Sequence, residues 1–187
     1  MRKLTYMFSV SLDGFIERDG QFGWAAPDQE EHEFYNEQAR QIGVELYGRR
    51  LYELMNAFWP TADEDPANPE FVREFSRIWK ATPIIVFSTT LDSVSGNATL
   101  ATGSPVDEVR RLKALPGKDI AVGGATLAAS LIPHGLIDEY RLLVHPTLAG
   151  GGTPFFPELA KTVPLRLIET RTFGSGVVYL RYATMTR

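Results

Sequence analysis

Asp119-Ile120-Ala121-Val122-Gly123-Gly124-Ala125-Thr126-Leu127-Ala128-Ala129-Ser130-Leu131-Ile132 joins two hydrophobic patterns across a pair of glycines. Residues 119–122 form a short, mainly apolar run, long enough for one buried strand, and from Thr126 the apolar spacing becomes helical. Two glycines between them let the backbone turn sharply and place no Cβ between the chain and an approaching group. The first turn of the helix then offers unpaired N–H groups and the positive end of a dipole, so the joint is able to hold the diphosphate of a dinucleotide. A close strand-to-helix turn without a ligand accounts for the same residues.

Working outward toward the N-terminus, residues 106–115 read as an amphipathic helix and 96–102 as a segment holding a short strand. Residues 83–87 form a continuous apolar run, as in a strand buried on both faces, and end in Ser88-Thr89-Thr90. Helical patterns cover 70–79 and 51–58, separated by an acidic, proline-bearing surface loop at 61–69. Val44 to Tyr47 is strand-like and runs into Gly48-Arg49-Arg50. Asp28 is a good N-cap for a helix, with Glu31 placed as its capping-box partner and Gly43 as its stop. Residues 4–12 read as the first strand, closed by Asp13-Gly14, and 15–24 as a loop.

Toward the C-terminus, Gly135 stops the glycine-pair helix and residues 138–145 are again strand-like. A turn rich in glycine at 149–154 is anchored by Phe155-Phe156, and strands at 165–172 and 177–184 are joined through Gly174-Ser175-Gly176, a hairpin signal. Alternation of strands and helices predicts a three-layer α/β domain over residues 1–187. Its central sheet is mainly parallel, with helices on both faces and an antiparallel C-terminal hairpin.

Composition narrows the function. At 187 residues, 44% apolar and 22% charged, the chain predicts one domain with a full core. With no cysteine there is no disulfide, thiolate nucleophile or zinc–sulfur site, and no argument for secretion. The start, Met1 to Val10, enters a strand pattern without the apolar stretch of a signal peptide, and a cytosolic protein is expected. A formal charge of −4 disfavours nucleic acids and anionic membranes, so phosphate binding requires a local cluster. His32, His134 and His145 lack metal-ligand spacing and read as surface or packing residues, and no hydrolase triad is visible.

Three predicted strands end in polar or glycine-rich groups: Gly48-Arg49-Arg50, Ser88-Thr89-Thr90 and Gly123-Gly124-Ala125-Thr126. Ligands of open α/β sheets lie outside the carboxyl ends of the strands, so these groups are able to converge on one ligand. Arg49 can fork onto a phosphate to which Ser88 and Thr89 also donate, as a ribose 2′-phosphate requires. A solvated helix start at Arg49 and Arg50 and a capping Ser88 explain the same residues without a ligand. Neither a phosphate-binding loop ending in Gly-Lys-Ser/Thr nor a G-x-G-x-x-G after the first strand is present.

The ordered set Ser9-Val10-Ser11-Leu12-Asp13-Gly14, Tyr47-Gly48-Arg49-Arg50-Leu51-Tyr52, Ser88-Thr89-Thr90-Leu91, Val122-Gly123-Gly124-Ala125-Thr126-Leu127 and Gly135-Leu136-Ile137-Asp138-Glu139, leading to Pro146 and Gly150-Gly151-Gly152, spans nearly the whole chain. It resembles the dihydrofolate-reductase-like fold and, within it, the riboflavin-biosynthesis reductase family. The resemblance implies a homodimeric reductase that takes hydride from NADPH to reduce a small heterocyclic (pyrimidine or pterin-like) or carbonyl substrate, similar to 5-amino-6-(5-phosphoribosylamino)uracil reductase or dihydrofolate reductase. It assigns Arg49 with Ser88 and Thr89 to the 2′-phosphate, with Gly48 and Arg50 beside them as cofactor-binding residues, and Gly123, Gly124, Ala125, Thr126 and Leu127 to the diphosphate. The backbone at Ser9, with Ile16, falls to the nicotinamide. It also makes the Gly123-Gly124 peptide a candidate for the cis form, Asp28 a candidate proton relay after Trp24, and Phe8, Trp24 and Phe156 candidate walls of the substrate pocket. A dimeric nucleotide-binding module without turnover is the alternative.

Overall fold

The structure, a computed structural model, describes residues 1–185. Its strands in chain order are β1 (Leu4–Ser11), β2 (Phe15–Glu17), β3 (Ile42–Gly48), β4 (Ile84–Phe87), β5 (Ala98–Leu100), β6 (Asp119–Gly123), β7 (Glu139–His145), β8 (Thr153–Pro154), β9 (Leu165–Thr172) and β10 (Val178–Thr184). The helices are α1 (Gln29–Ala39), α2 (Arg49–Asn56), α3 (Glu70–Ala81), α4 (Pro105–Ala114) and α5 (Ala125–Leu131). Eight strands form one sheet in the order β5-β4-β3-β6-β1-β7-β10-β9, and β2 pairs with β8 in a small ribbon. All pairings in the large sheet are parallel except β7 with β10 and β10 with β9. The expected parallel sheet with an antiparallel C-terminal hairpin is therefore the one observed.

Strand alternation divides the apolar residues between two faces. Leu4, Tyr6, Leu46, Ile120 and Val122 bury against Val109 and Leu112 of α4 and Leu127 and Leu131 of α5. On the opposite face Tyr47, Ile84 and Val86 pack with Tyr52 of α2 and Trp79 of α3, while Leu143 and Tyr179 pack under Phe34 of α1. Helices thus cover both faces of the sheet.

Some local expectations are corrected. Gly43 does not stop α1, which ends at Ala39; it lies inside β3, at a register shift between Ile42 and Val44. A Cβ there would come within 3.0 Å of the Lys118 Cβ, so close packing against the neighbouring chain explains the glycine. Residues 15–17 form a strand because Thr153 and Pro154, far along the chain, pair with them. Glu31 does not close a capping box: its Oε1 accepts from the Ser175 hydroxyl. The Gly123-Gly124 peptide is trans, and Gly124 turns the chain with a φ of 97° instead.

Glu139 at the start of β7 is buried among three cations. Its carboxylate accepts from Lys3 at 2.8 Å, from Arg141 at 2.7 Å and from Arg181 at 2.9 Å. Burial pushes its pKa up, but the hydrogen bonds from Arg181, Lys3 and Arg141 outweigh that and hold it at about 2. A carboxyl depressed on folding contributes stability above its unfolded pKa and loses it as pH falls through the folded one. Stability should therefore decline as pH drops from about 4.5 to about 2. At neutral pH Glu139→Gln should be less stable by about 3–5 kcal/mol, since Arg141 loses its buried counter-charge, and the gap should narrow as pH falls across that window, giving the variant a flatter profile in urea denaturation. Parallel profiles for the two proteins would contradict this.

Candidate active site at the carboxyl rim of the sheet

Because β4, β3 and β6 are adjacent and parallel, their carboxyl ends open on one rim, with Gly48 opposite Phe87 and Tyr47 opposite Gly123. The three polar strand ends singled out in the sequence therefore meet. An open cleft of about 530 Å³ lies there, lined by Arg49, Phe87, Ser88, Thr89, Thr90 and the loop that carries Gly103 and Pro105. Sequence reading missed that last wall, although Thr102-Gly103-Ser104-Pro105 is a turn signal before a helix. Ser104 caps α4 by accepting from the Asp107 N–H.

Arg49 is the first residue of α2, 53% exposed, and meets Glu53 one turn on at 3.3 Å. So weak and solvated a pair leaves the guanidinium available to a stronger anion. Arg50 leans away from the cleft toward Glu17 of β2, at 3.5 Å. Ser88 Oγ accepts from the N–H groups of Thr90 and Leu91, which makes it the turn's cap while it still lines the cleft. Thr89 is exposed beside it.

At the β6 end, Gly123 is buried, and a Cβ on it would collide with Leu51 and Tyr47. Gly124 faces open space, with nothing within 4 Å of where a Cβ would sit. Ala125 and Thr126 begin α5, whereas the Leu127 side chain is in the core and offers only its backbone to the rim. β6 pairs with β1 only over Leu4–Tyr6, while β7 stays beside β1 as far as Ser11. Beyond Tyr6, β1 thus loses its neighbour on the β6 side, where the glycine pair turns the chain away toward α5. Ile16 is buried in β2 close by.

The residues proposed as walls do not form one pocket. Phe8 lies against Tyr6 on the α4/α5 face, with ring centroids 5.8 Å apart, and Phe156 packs on Tyr140 of that same face at 5.3 Å. Trp24 lies on the other face, edge-on to His145 at 5.9 Å. Alternation along β1 separates them, since Phe8 and Ser9 point oppositely. Asp28 is an exposed helix cap whose Oδ1 accepts from the Glu31 N–H at 2.9 Å.

Beside Trp24 the chain assembles a polar group that sequence reading passed over. Ser9 Oγ lies 2.9 Å from the Tyr35 hydroxyl and 3.0 Å from His145 Nε2. Burial lowers the His145 pKa from its ordinary value, opposed by the Glu31 charge. Burial likewise pushes Tyr35 up to about 12. A histidine at a strand end and a glutamate in a capping position gave no sign of each other in the linear sequence.

The family model of the RibD C-terminal domain matches residues 2–179 of this chain. The protein YyaP of Bacillus subtilis (strain 168), itself uncharacterized, is 35% identical over 185 residues, covering 97% of this chain and 94% of that protein. A structure from Shewanella sp. PV-4, provisionally named for riboflavin biosynthesis, superposes with a TM-score of 0.77 at 20% identity, covering 98% of this chain and 99% of that one. Dihydrofolate reductase from Enterococcus faecalis, complexed with NADP(H) and RAB-propyl, superposes with a TM-score of 0.62 at 19% identity over 97% and 96% of the two chains. No helix among the described residues is long and apolar enough to cross a membrane, and none of their acidic and histidine side chains group as a metal site.

If Asp28 acts as a cap alone, Asp28→Ala should cost about 1 kcal/mol of stability, read by urea denaturation, and should leave the binding of any rim ligand unchanged. A loss of ligand affinity exceeding the loss of stability would return Asp28 to the site.

Proposed function

Since the chain belongs to the RibD C-terminal domain family, we propose that it is an NADPH-dependent reductase of a small heterocyclic or carbonyl substrate, with the dinucleotide bound along the carboxyl rim of the sheet. The observation that carries this reading is the meeting of a cation, hydroxyls and one open glycine, Gly124, at three neighbouring strand ends. The relatives' family and the reductase-type fold support it. The donor set fits the cofactor: Arg49, Ser88 and Thr89 suit a ribose 2′-phosphate, and Phe87 and Pro105 give the same cleft apolar walls for a purine. The bare backbone at Gly124 and the first N–H groups of α5 suit a diphosphate, which approaches amides most closely where no Cβ intervenes. Past Tyr6, the β1 backbone at Ser9, with Ile16, would orient the nicotinamide.

When bound, the dinucleotide supplies hydride; the protein's work is to hold donor and acceptor in register and to keep water out. We also propose a homodimer. The edge strand β9 is exposed from Arg166 to Thr172, and carries Leu167 and Ile168 at 48% and 39% exposure beside a bulge. An open edge with apolar side chains is a surface that proteins ordinarily cover.

Calorimetric titration tests the cofactor assignment. Arg49→Ala should weaken NADPH by about 1–3 kcal/mol and leave NADH nearly unchanged, while equal losses for both would remove Arg49 from the 2′-phosphate. NADPH that binds but is oxidised with no pterin, pyrimidine or carbonyl acceptor would leave a nucleotide-binding module. In light-scattering chromatography the wild type should run at twice its 20.9 kDa chain mass and Leu167→Asp at the single-chain mass; a monomeric wild type would refute the dimer.

A further inference from the structure

On the reductase reading, hydride transfer to a polar double bond needs a proton at the other atom, and Asp28, an exposed cap of α1, is not placed to supply it. At the β1–β7 end of the rim, Glu31 is 2% exposed and His145 4%. Glu31 commits Oε1 to Ser175, but its Oε2 is buried without a partner. The indole N–H of Trp24, beside the same imidazole, is also buried without an acceptor. An unpaired buried acceptor and an unpaired buried donor each cost free energy, and both are satisfied by a ligand that brings the complementary groups. Ser9, bridging Tyr35 and His145, fixes the orientation of the ring.

We propose that His145, oriented by Ser9 and Tyr35, with Glu31 one turn before Tyr35 on the same face of α1, donates the proton to a C=N or C=O substrate whose carbon receives hydride from a reduced nicotinamide. The π pair of that bond moves to nitrogen or oxygen, which takes the proton and leaves a neutral imidazole. The nicotinamide leaves oxidised, and water reprotonates the ring. Glu31 keeps the imidazolium accessible inside a buried site, where desolvation opposes it. The titratable groups facing the ring are Glu31 and Tyr35 of α1; Ser9 of β1 and Trp24 are neutral.

The chain has three histidines, so nitrogen-edited NMR of the free protein, with His32 and His134 replaced in turn, isolates His145. Glu31→Gln should lower its titration midpoint by about one pH unit; an unmoved midpoint overturns the proposal. In turnover, His145→Asn should lower kcat by about 10²–10⁴ and abolish the alkaline fall of the kcat profile, with KM for NADPH unchanged. Should that variant not fold, Glu31→Gln should move the alkaline limb by the displacement seen in NMR. Undiminished kcat in His145→Asn beside an active wild type overturns the donor role alone. A wild type with coupled titration and no turnover overturns the reductase reading, and the donor role with it.

Discussion

β3 is hydrogen-bonded on both sides to strands running its own way, β4 and β6, and this parallel pairing sets the direction of everything around it. Parallel neighbours cannot be joined by tight hairpins; each requires a crossover, and each crossover leaves from the same edge. Three exits are thereby forced onto one rim, although their residues lie dozens of positions apart. The local groups need only be correct at each exit: a helix opening on Arg49, a hydroxyl turn at Ser88 and a glycine pair at 123–124.

The rim has two ends of different character. Around α2 and α4 it is open, cationic and hydroxyl-lined, suited to phosphate in a chain whose net charge is −4. Around β1 and β7 it is buried and carries an imidazole, a carboxylate and an indole N–H. Between the two, β6 leaves β1 after Tyr6, while β7 stays paired to β1 as far as Ser11. On the proposed reading, an open phosphate-binding end and a buried polar end on one rim suit a long, two-headed cofactor.

Much of this was legible in the linear chain. Runs such as Ile84 to Phe87 and Val44 to Tyr47, punctuated by glycine and hydroxyl residues, gave strands and their exits because local propensity and tertiary role agree there. Two kinds of feature were not legible. Gly43 looked like a helix stop because its reason, the approach of Lys118, comes from a distant segment. Asp28 caps α1 as its sequence position implies, but Glu31, whose place three residues on has a sufficient local explanation in a capping box, turns inward to Ser175, a partner that only the folded chain brings near. Phe8 and Trp24 are expected to wall one substrate pocket, whereas the pleat of β1 assigns them to opposite faces.

The most direct measurement of the shared rim is a backbone-amide NMR titration of the intact protein with NADPH. The account predicts that Gly48, Arg49, Ser88, Thr89, Gly124 and Ala125 move together with a single dissociation constant, accompanied by Ser9. Perturbations confined to the β9–β10 edge, or a response at Arg49 with none at the glycine pair, would contradict it.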